Sequence, residues 1–396
     1  MRYRIFNGRI ITPYRIIGDG YVLVEDGKIT EVGRGNPDID GCTGIDAGGR
    51  YVSPGFIDIH THGAGGYDFM DGSTEAFTDA AKMYGRHGAT LIFPTTLTST
   101  DELLFKTFDL YREACAGRTC GAAFGGLHLE GPYFAPSQKG AQDPRYLRNP
   151  VADEYMEILD RGDGIIARWS LAPELEGAGN LGRELVRRKI VPGIAHTDAT
   201  YGEIQEAFEN GFRLLVHFYS CMSTIRREKG YRIAGVTESG YGIDEMDIEI
   251  IGDGIHVPPD LLKLAYGIKG AEHIALVTDS MRGAGMPDGE YMLGNCRDGQ
   301  LVKVTGGVAK LLDETAFAGS VATMDRCVRT MYREAGVPLC DAVRMATSTP
   351  ARIMGISDVK GTIAPGMDAD LTVFNDNIEV AFTMSGGNII YNNIKG

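Results

Sequence analysis

Two histidines, His60 and His62, close an apolar run, and four further groups able to bind metal or move protons recur downstream in the same setting: Glu130, His196, His217 and Asp279. Imidazole nitrogen and carboxylate oxygen suit a borderline divalent ion such as zinc, and hydrolytic centres typically use about three protein ligands with one position left open. In Phe56-Ile57-Asp58-Ile59-His60-Thr61-His62, strand geometry sends the two imidazoles to one side, because alternate residues face alike. Glu130 follows Leu127-His128-Leu129 and precedes Gly131-Pro132, where it could ligate or bridge metal, or simply cap the next element. His128 shares its face and reads as an orienting or packing residue. His196 and His217 each end an apolar run; either alone is more often structural, but with Glu130 they make a three-ligand set. Asp279 leaves the buried run Ala275–Thr278, and a buried aspartate is costly unless paired or near a cation. It could ligate, take a proton or do both; an N-cap is the bland alternative. The set outweighs its members and implies a metal-dependent hydrolase.

Such residues must be gathered from distant parts of the chain. Apolar runs at 56–60, 90–95, 126–130, 167–171, 191–196, 214–217, 248–252 and 274–278 alternate with helical periodicity at 73–87, 101–116, 153–160, 180–189, 201–210 and 259–266. This rhythm fits a TIM barrel or a doubly wound sheet. Placement separates the two: the polar groups sit at or just past the C-terminal ends of their strands, which a barrel brings around one axis and an open sheet spreads apart. Both chain ends read as short β segments, with Asp26-Gly27 as a hairpin signal. They are expected to form one small β-sandwich from residues 1–53 plus 356–396, with a catalytic barrel at 54–355 inserted between.

A length of 396 residues suits one large and one small domain, and 43% hydrophobic with 23% charged residues suits a globular protein. The formal net charge of −14 argues against nucleic acid as a partner. Seven cysteines without a CxxC pair argue against a disulfide framework. No apolar stretch is long enough to span a bilayer and the first residues lack a signal-peptide core, so a cytoplasmic location is expected. His87 and His273 fit no constellation and read as structural. Asp253-Gly254-Ile255-His256 follows the seventh run, where substrate contact is expected. Arg226 and Arg227 suit phosphate or carboxylate, or else a solvated surface.

The motifs PGFIDIHTHGAGGYDFMD (54–71), HLEGPYF (128–134), AHTDATY (195–201), DGIHV (253–257), LVTDSMRGAGMPDGEYMLG (276–294), AGSVATMDR (318–326) and KGTIAPGMDADLTVF (360–374) span nearly the whole chain. They resemble the amidohydrolase superfamily and, within it, the N-acetylglucosamine-6-phosphate deacetylases. The resemblance implies a distorted TIM (β/α)8 barrel with a small β-sandwich from both termini, a homodimer, and removal of acetate from a phosphorylated amino sugar. It implies Glu130, His196 and His217 as main metal ligands, His60 and His62 as a second site, and therefore one or two divalent ions per subunit, with zinc ahead of iron, manganese or cobalt. Asp279 resembles the family's catalytic acid/base, His256 a substrate-contacting histidine and Arg227 a phosphate-binding arginine.

The chain departs from the family on the substrate side. Ser220-Cys221 stands where relatives carry Asn-Ala, and Gln142 stands where they carry a histidine; both positions are expected to contact substrate. Arg227-Glu228-Lys229-Gly230 keeps the arginine but not the family's following proline. Related readings are an N-acetylgalactosamine 6-phosphate or unphosphorylated-sugar deacetylase, and a dihydroorotase-like enzyme, which the glutamate at 130 in place of a carboxylated lysine disfavours. A non-catalytic scaffold should have lost ligands, and all six are present.

Overall fold

The computed structural model describes every residue except 118–119 and 395–396. The eight runs form strands β1 (Phe56–Thr61), β2 (Ala89–Thr96), β3 (Leu127–Glu130), β4 (Ile166–Leu171), β5 (Val191–Ile194), β6 (Leu214–Leu215), β7 (Asp247–Ile251) and β8 (Ile274–Val277). Neighbours pair in parallel from β1 round to β8. The ring closes through a parallel bridge between Thr61 and Ser280 and through the Asp279 N–H donating to the His60 carbonyl at 2.9 Å. This is a (β/α)8 barrel. Closure decides the choice left by the rhythm, since it brings β1 beside β8 across more than half the chain.

Helices α1 (Thr74–Arg86), α2 (Asp101–Ala116), α3 (Ala152–Arg161), α4 (Ala178–Arg187), α5 (Tyr201–Glu209), α6 (Val236–Gly242), α7 (Pro259–Lys269) and α8 (Met324–Arg333) return the chain between strands or follow β8. Their starts are written in side chains that satisfy orphan N–H groups. Ser73 accepts from Ala76 N–H, Thr100 from Leu103 N–H, and Thr200 with Glu203 forms a reciprocal capping box. The α1 face Phe77, Ala80, Ala81 and Tyr84 is buried at helical spacing. Burying Phe77 alone stabilises the fold by roughly 2 to 3 kcal/mol before entropy is counted. Helix α6 escapes periodicity because it is short and contains two glycines, poor helix formers held by burial of Val236.

Both ends of the chain enter one eight-stranded sheet. Leu371–Phe374 pairs antiparallel with Tyr51–Pro54, which stitches the C-terminal segment to the N-terminal one. Arg2–Ile11 pairs with Thr43–Asp46 along its first half and with Tyr51–Pro54 further on, so the hydrogen bonding of this small terminal layer is continuous. Asp26 and Gly27 form the expected hairpin turn with φ of 48° and 81°. Val22, Val52, Val373 and Phe382 share one buried cluster separate from the main core. Among the described residues no helix is long and apolar enough to cross a membrane.

Candidate metal centre

All six residues named from the sequence converge at the C-terminal mouth of the barrel, and all six are buried. They form two groups, His60–His62–Asp279 and Glu130–His196–His217, with the donor atoms of each group within 4.8 Å of one another. Glu130 lies between them. Its Oε1 is 3.2 Å from His217 Nε2, 3.4 Å from His196 Nε2 and 3.4 Å from His60 Nε2, while its Oε2 is 3.4 Å from His62 Nε2. Asp279 Oδ1 is 3.2 Å from His62 Nε2 and 3.5 Å from His60 Nε2.

Strands β5, β6 and β8 stop short of their histidine or aspartate because His196, His217 and Asp279 turn into left-handed backbone, with φ of 46°, 34° and 48°. Non-glycine residues there carry strain of about 1 to 3 kcal/mol each, which the surrounding structure must offset. Glu130 is the last residue of β3, and the next peptide is anchored by the single tryptophan, whose Nε1 donates to the Gly131 carbonyl at 2.8 Å.

The donor set fits a cation. His196 Nδ1 donates to the Gln138 carbonyl at 2.8 Å and His217 Nδ1 to the Ser220 carbonyl at 3.2 Å. Neutral rings held this way carry their lone pairs on Nε2. Those two Nε2 atoms are 3.2 Å apart, an arrangement that repels unless a metal ion or a second proton on one ring lies between them. His60 Nε2 and Asp279 Oδ1 are buried without a hydrogen-bond partner among the described residues, which is costly for polar atoms of this kind. Burial disfavours the charged form of His60 and His62, but the nearby Asp279 and Glu130 carboxylates outweigh it and lift His60 to about 9 and His62 to about 10. Burial alone would also raise Asp279; His60 and His62 reverse that and hold it below the usual carboxylate range.

The centre opens into a cavity of about 300 Å³ lined in part by His62, Asp279, His256, Ser220, Cys221 and Phe317. His256 donates Nδ1–H to Asp253 Oδ2 at 2.8 Å and packs against Phe317 at 4.5 Å, so its Nε2 is the free ring atom. Gly140 sits against the same wall with φ of 54°, and a Cβ there would fall 2.5 Å from Cys221 Sγ. Gln142 also lines the cavity, but its Nε2 donates to Glu130 Oε2 at 2.7 Å and its Oε1 accepts from Thr98 N–H at 3.0 Å. Its amide thus hydrogen-bonds Glu130 while the residue also lines the cavity where a substrate contact is expected. Arg227 is exposed on the hairpin formed by Arg226–Glu228 and Tyr231–Ile233 and does not line the cavity. His87 pairs with Asp325 and His273 with Asp247, as structural residues do.

Sequence reading passed over Asp253 as a partner of His256, and it passed over Arg168 and Glu249. The last two carried a signal: opposite charges set within apolar barrel strands.

The amidohydrolase family pattern matches residues 51–390. The chain belongs to the amidohydrolase family and groups within it with the N-acetylglucosamine-6-phosphate deacetylases. It is 33% identical to the N-acetylglucosamine-6-phosphate deacetylase of Bacillus subtilis (strain 168), over 96% of this chain and 95% of that protein. It is 32% identical to the N-acetylgalactosamine-6-phosphate deacetylase of Escherichia coli O157:H7, over 94% of this chain and 95% of that one. The N-acetyl-D-glucosamine-6-phosphate deacetylase of Mycobacterium smegmatis, solved as an aspartate-to-alanine mutant with N-acetyl-D-glucosamine-6-phosphate, superimposes with a TM-score of 0.89 at 29% identity, covering 98% of this chain and 99% of that one.

Proposed function

We propose that the protein hydrolyses the acetamide of N-acetylglucosamine 6-phosphate to glucosamine 6-phosphate and acetate. The observation that carries this reading is the pair of buried three-donor groups, with Glu130 of one lying against the other, at the mouth of a barrel whose relatives are deacetylases of this class. Glu130, His196 and His217 would hold a first divalent ion, and His60, His62 and Asp279 a second, zinc being the first choice for nitrogen and oxygen donors. A bound ion supplies Lewis-acid polarisation of the amide carbonyl and acidifies a water.

The chain's own groups do the rest. Asp279, ionised at neutral pH, takes the proton of the attacking water, and then delivers it to the departing amide nitrogen, which leaves poorly as an anion. His256, held through Nδ1–H by Asp253, presents Nε2 to the cavity as an acceptor for a substrate hydroxyl. Ser220 and Cys221 line the side on which the sugar would sit. Arg227 is kept as the phosphate-binding residue of this reading, which requires its exposed hairpin to reach over the cavity, since it does not line it. The two-domain division at 1–53 plus 356–396 and 54–355, a homodimer, and a cytoplasmic location complete the proposal.

N-Acetylgalactosamine 6-phosphate is the second reading, supported by the galactosamine-specific name of one relative and by the altered Ser220 and Gln142 positions. The deciding experiment measures acetate release by zinc-loaded protein from the 6-phosphates of both N-acetyl sugars and from both unphosphorylated sugars. Turnover of the glucosamine phosphate at least tenfold above the others by kcat/KM supports the first reading; preference for the galactosamine phosphate replaces it with the second.

A further inference from the structure

Below the candidate metal centre, two opposite charges lie wholly inside the barrel: Arg168 on β4 and Glu249 on β7. Burying both costs desolvation that their attraction only partly offsets, and apolar side chains of similar volume would fill the space as well. Packing alone therefore does not account for the pair. Arg168 Nη1 donates to the Ile59 carbonyl on β1 at 2.9 Å and forms a close ion pair with Glu249 Oε1. The other carboxylate oxygen, Oε2, accepts Nδ1–H from His60 at 3.3 Å. On the far side of that ring, Nε2 faces Glu130 Oε1 and Asp279 Oδ1 and has no hydrogen-bond partner among the described residues.

A neutral imidazole has one N–H, and the partner of one nitrogen decides the state of the other. A carboxylate can only accept, so it retains the proton on Nδ1 and leaves the lone pair on Nε2. A guanidinium can only donate, so whatever stands at position 249 must turn an oxygen toward Arg168. We propose that Glu249, itself oriented by Arg168, is a positioning residue that selects the His60 tautomer able to bind metal through Nε2. The inference rests on the metal-binding part of the proposed function and concerns how this chain's residues serve that ion.

The Glu249→Gln variant tests it because shape is conserved while polarity is not. Its amide oxygen must face Arg168, which leaves the NH2 group against His60 Nδ1 and drives the ring proton onto Nε2. Zinc titration by calorimetry, with unfolding followed by circular dichroism, should show a folded protein whose affinity for one ion falls about 10- to 100-fold. Adding Arg168→Met frees the amide to turn its oxygen toward His60, so the double variant should regain about tenfold in zinc affinity over Glu249→Gln. A plain structural ion pair predicts the opposite, with the double variant no better than the single one. That result, or unchanged zinc affinity in Glu249→Gln, overturns the inference. Independently of any variant, 15N spectra of histidine-labelled, zinc-loaded wild-type protein should show the His60 proton on Nδ1, and a proton on Nε2 overturns it too. Wild-type protein that binds zinc as described but releases no acetate would sink the functional reading and leave this inference standing.

Discussion

The Nε2 atoms of His196 and His217 face each other at 3.2 Å while each ring donates its Nδ1 proton to a backbone carbonyl. Two lone pairs so placed need a metal ion or a proton between them. Burial would lower His196, but Cys221 and Glu130 outweigh it and hold it well above the usual histidine range, so in metal-free protein a proton takes the place of the ion. Chelation should therefore lower the melting temperature, and zinc should restore it. At a hundredfold excess of free zinc over Kd the gain is about 3 kcal/mol. A melting temperature indifferent to both treatments would refute a metal role for this pair.

Asp279 is placed to exchange a proton, not to carry the first ion, since Glu130, His196 and His217 form their own donor group. Asp279→Asn should leave zinc on that group and reduce kcat by about a thousandfold. Metal analysis alongside turnover checks both halves, and near-normal kcat would remove Asp279 from the chemistry.

In metal-free protein His60 and His62 hold their protons up to about pH 9 and about pH 10. Ligation needs the neutral ring, so at neutral pH zinc must displace those protons. Affinity should accordingly rise with pH until the imidazolium forms are gone. Calorimetry in buffers of differing ionisation enthalpy should detect protons released on binding at pH 7. Equal affinity at about pH 6 and about pH 8 would contradict this.

Gln142 touches Glu130 directly, so Gln142→Ala should weaken zinc binding about tenfold and lower turnover at limiting zinc, while at saturating zinc kcat and KM stay near normal. A large rise in KM with unaltered zinc affinity would instead return Gln142 to the substrate-contacting role read from the sequence.

Phe77 on α1 packs against Phe69, Tyr111 and Phe124 with no exposed surface. Phe77→Ala should cost about 3 to 5 kcal/mol by denaturant unfolding, because the cavity it leaves is walled by rings that cannot collapse into it. A loss below about 1 kcal/mol would mean that α1 repacks freely.

The barrel and its mouth were legible in the chain because each is encoded locally. Eight apolar runs alternate with helical periodicity, caps such as Thr100 and Thr200 sit where helices begin, and each of the six polar residues follows an apolar run that buries its strand. Motifs with unusual residues at fixed places, such as HLEGP, then marked the family. The commitments of individual hydrogen-bonding groups were not legible. Gln142 and Glu130 are twelve residues apart on different segments, and only folding turns the amide of one onto the carboxylate of the other. Arg168, Glu249 and His60 come from three strands, and their order as donor, acceptor and ring exists only once the barrel closes. Local pattern is set by the periodicity of buried side chains, whereas the pairing of buried polar atoms is set by distances across the barrel. Sequence spacing determined the first, and only tertiary closure decided the second.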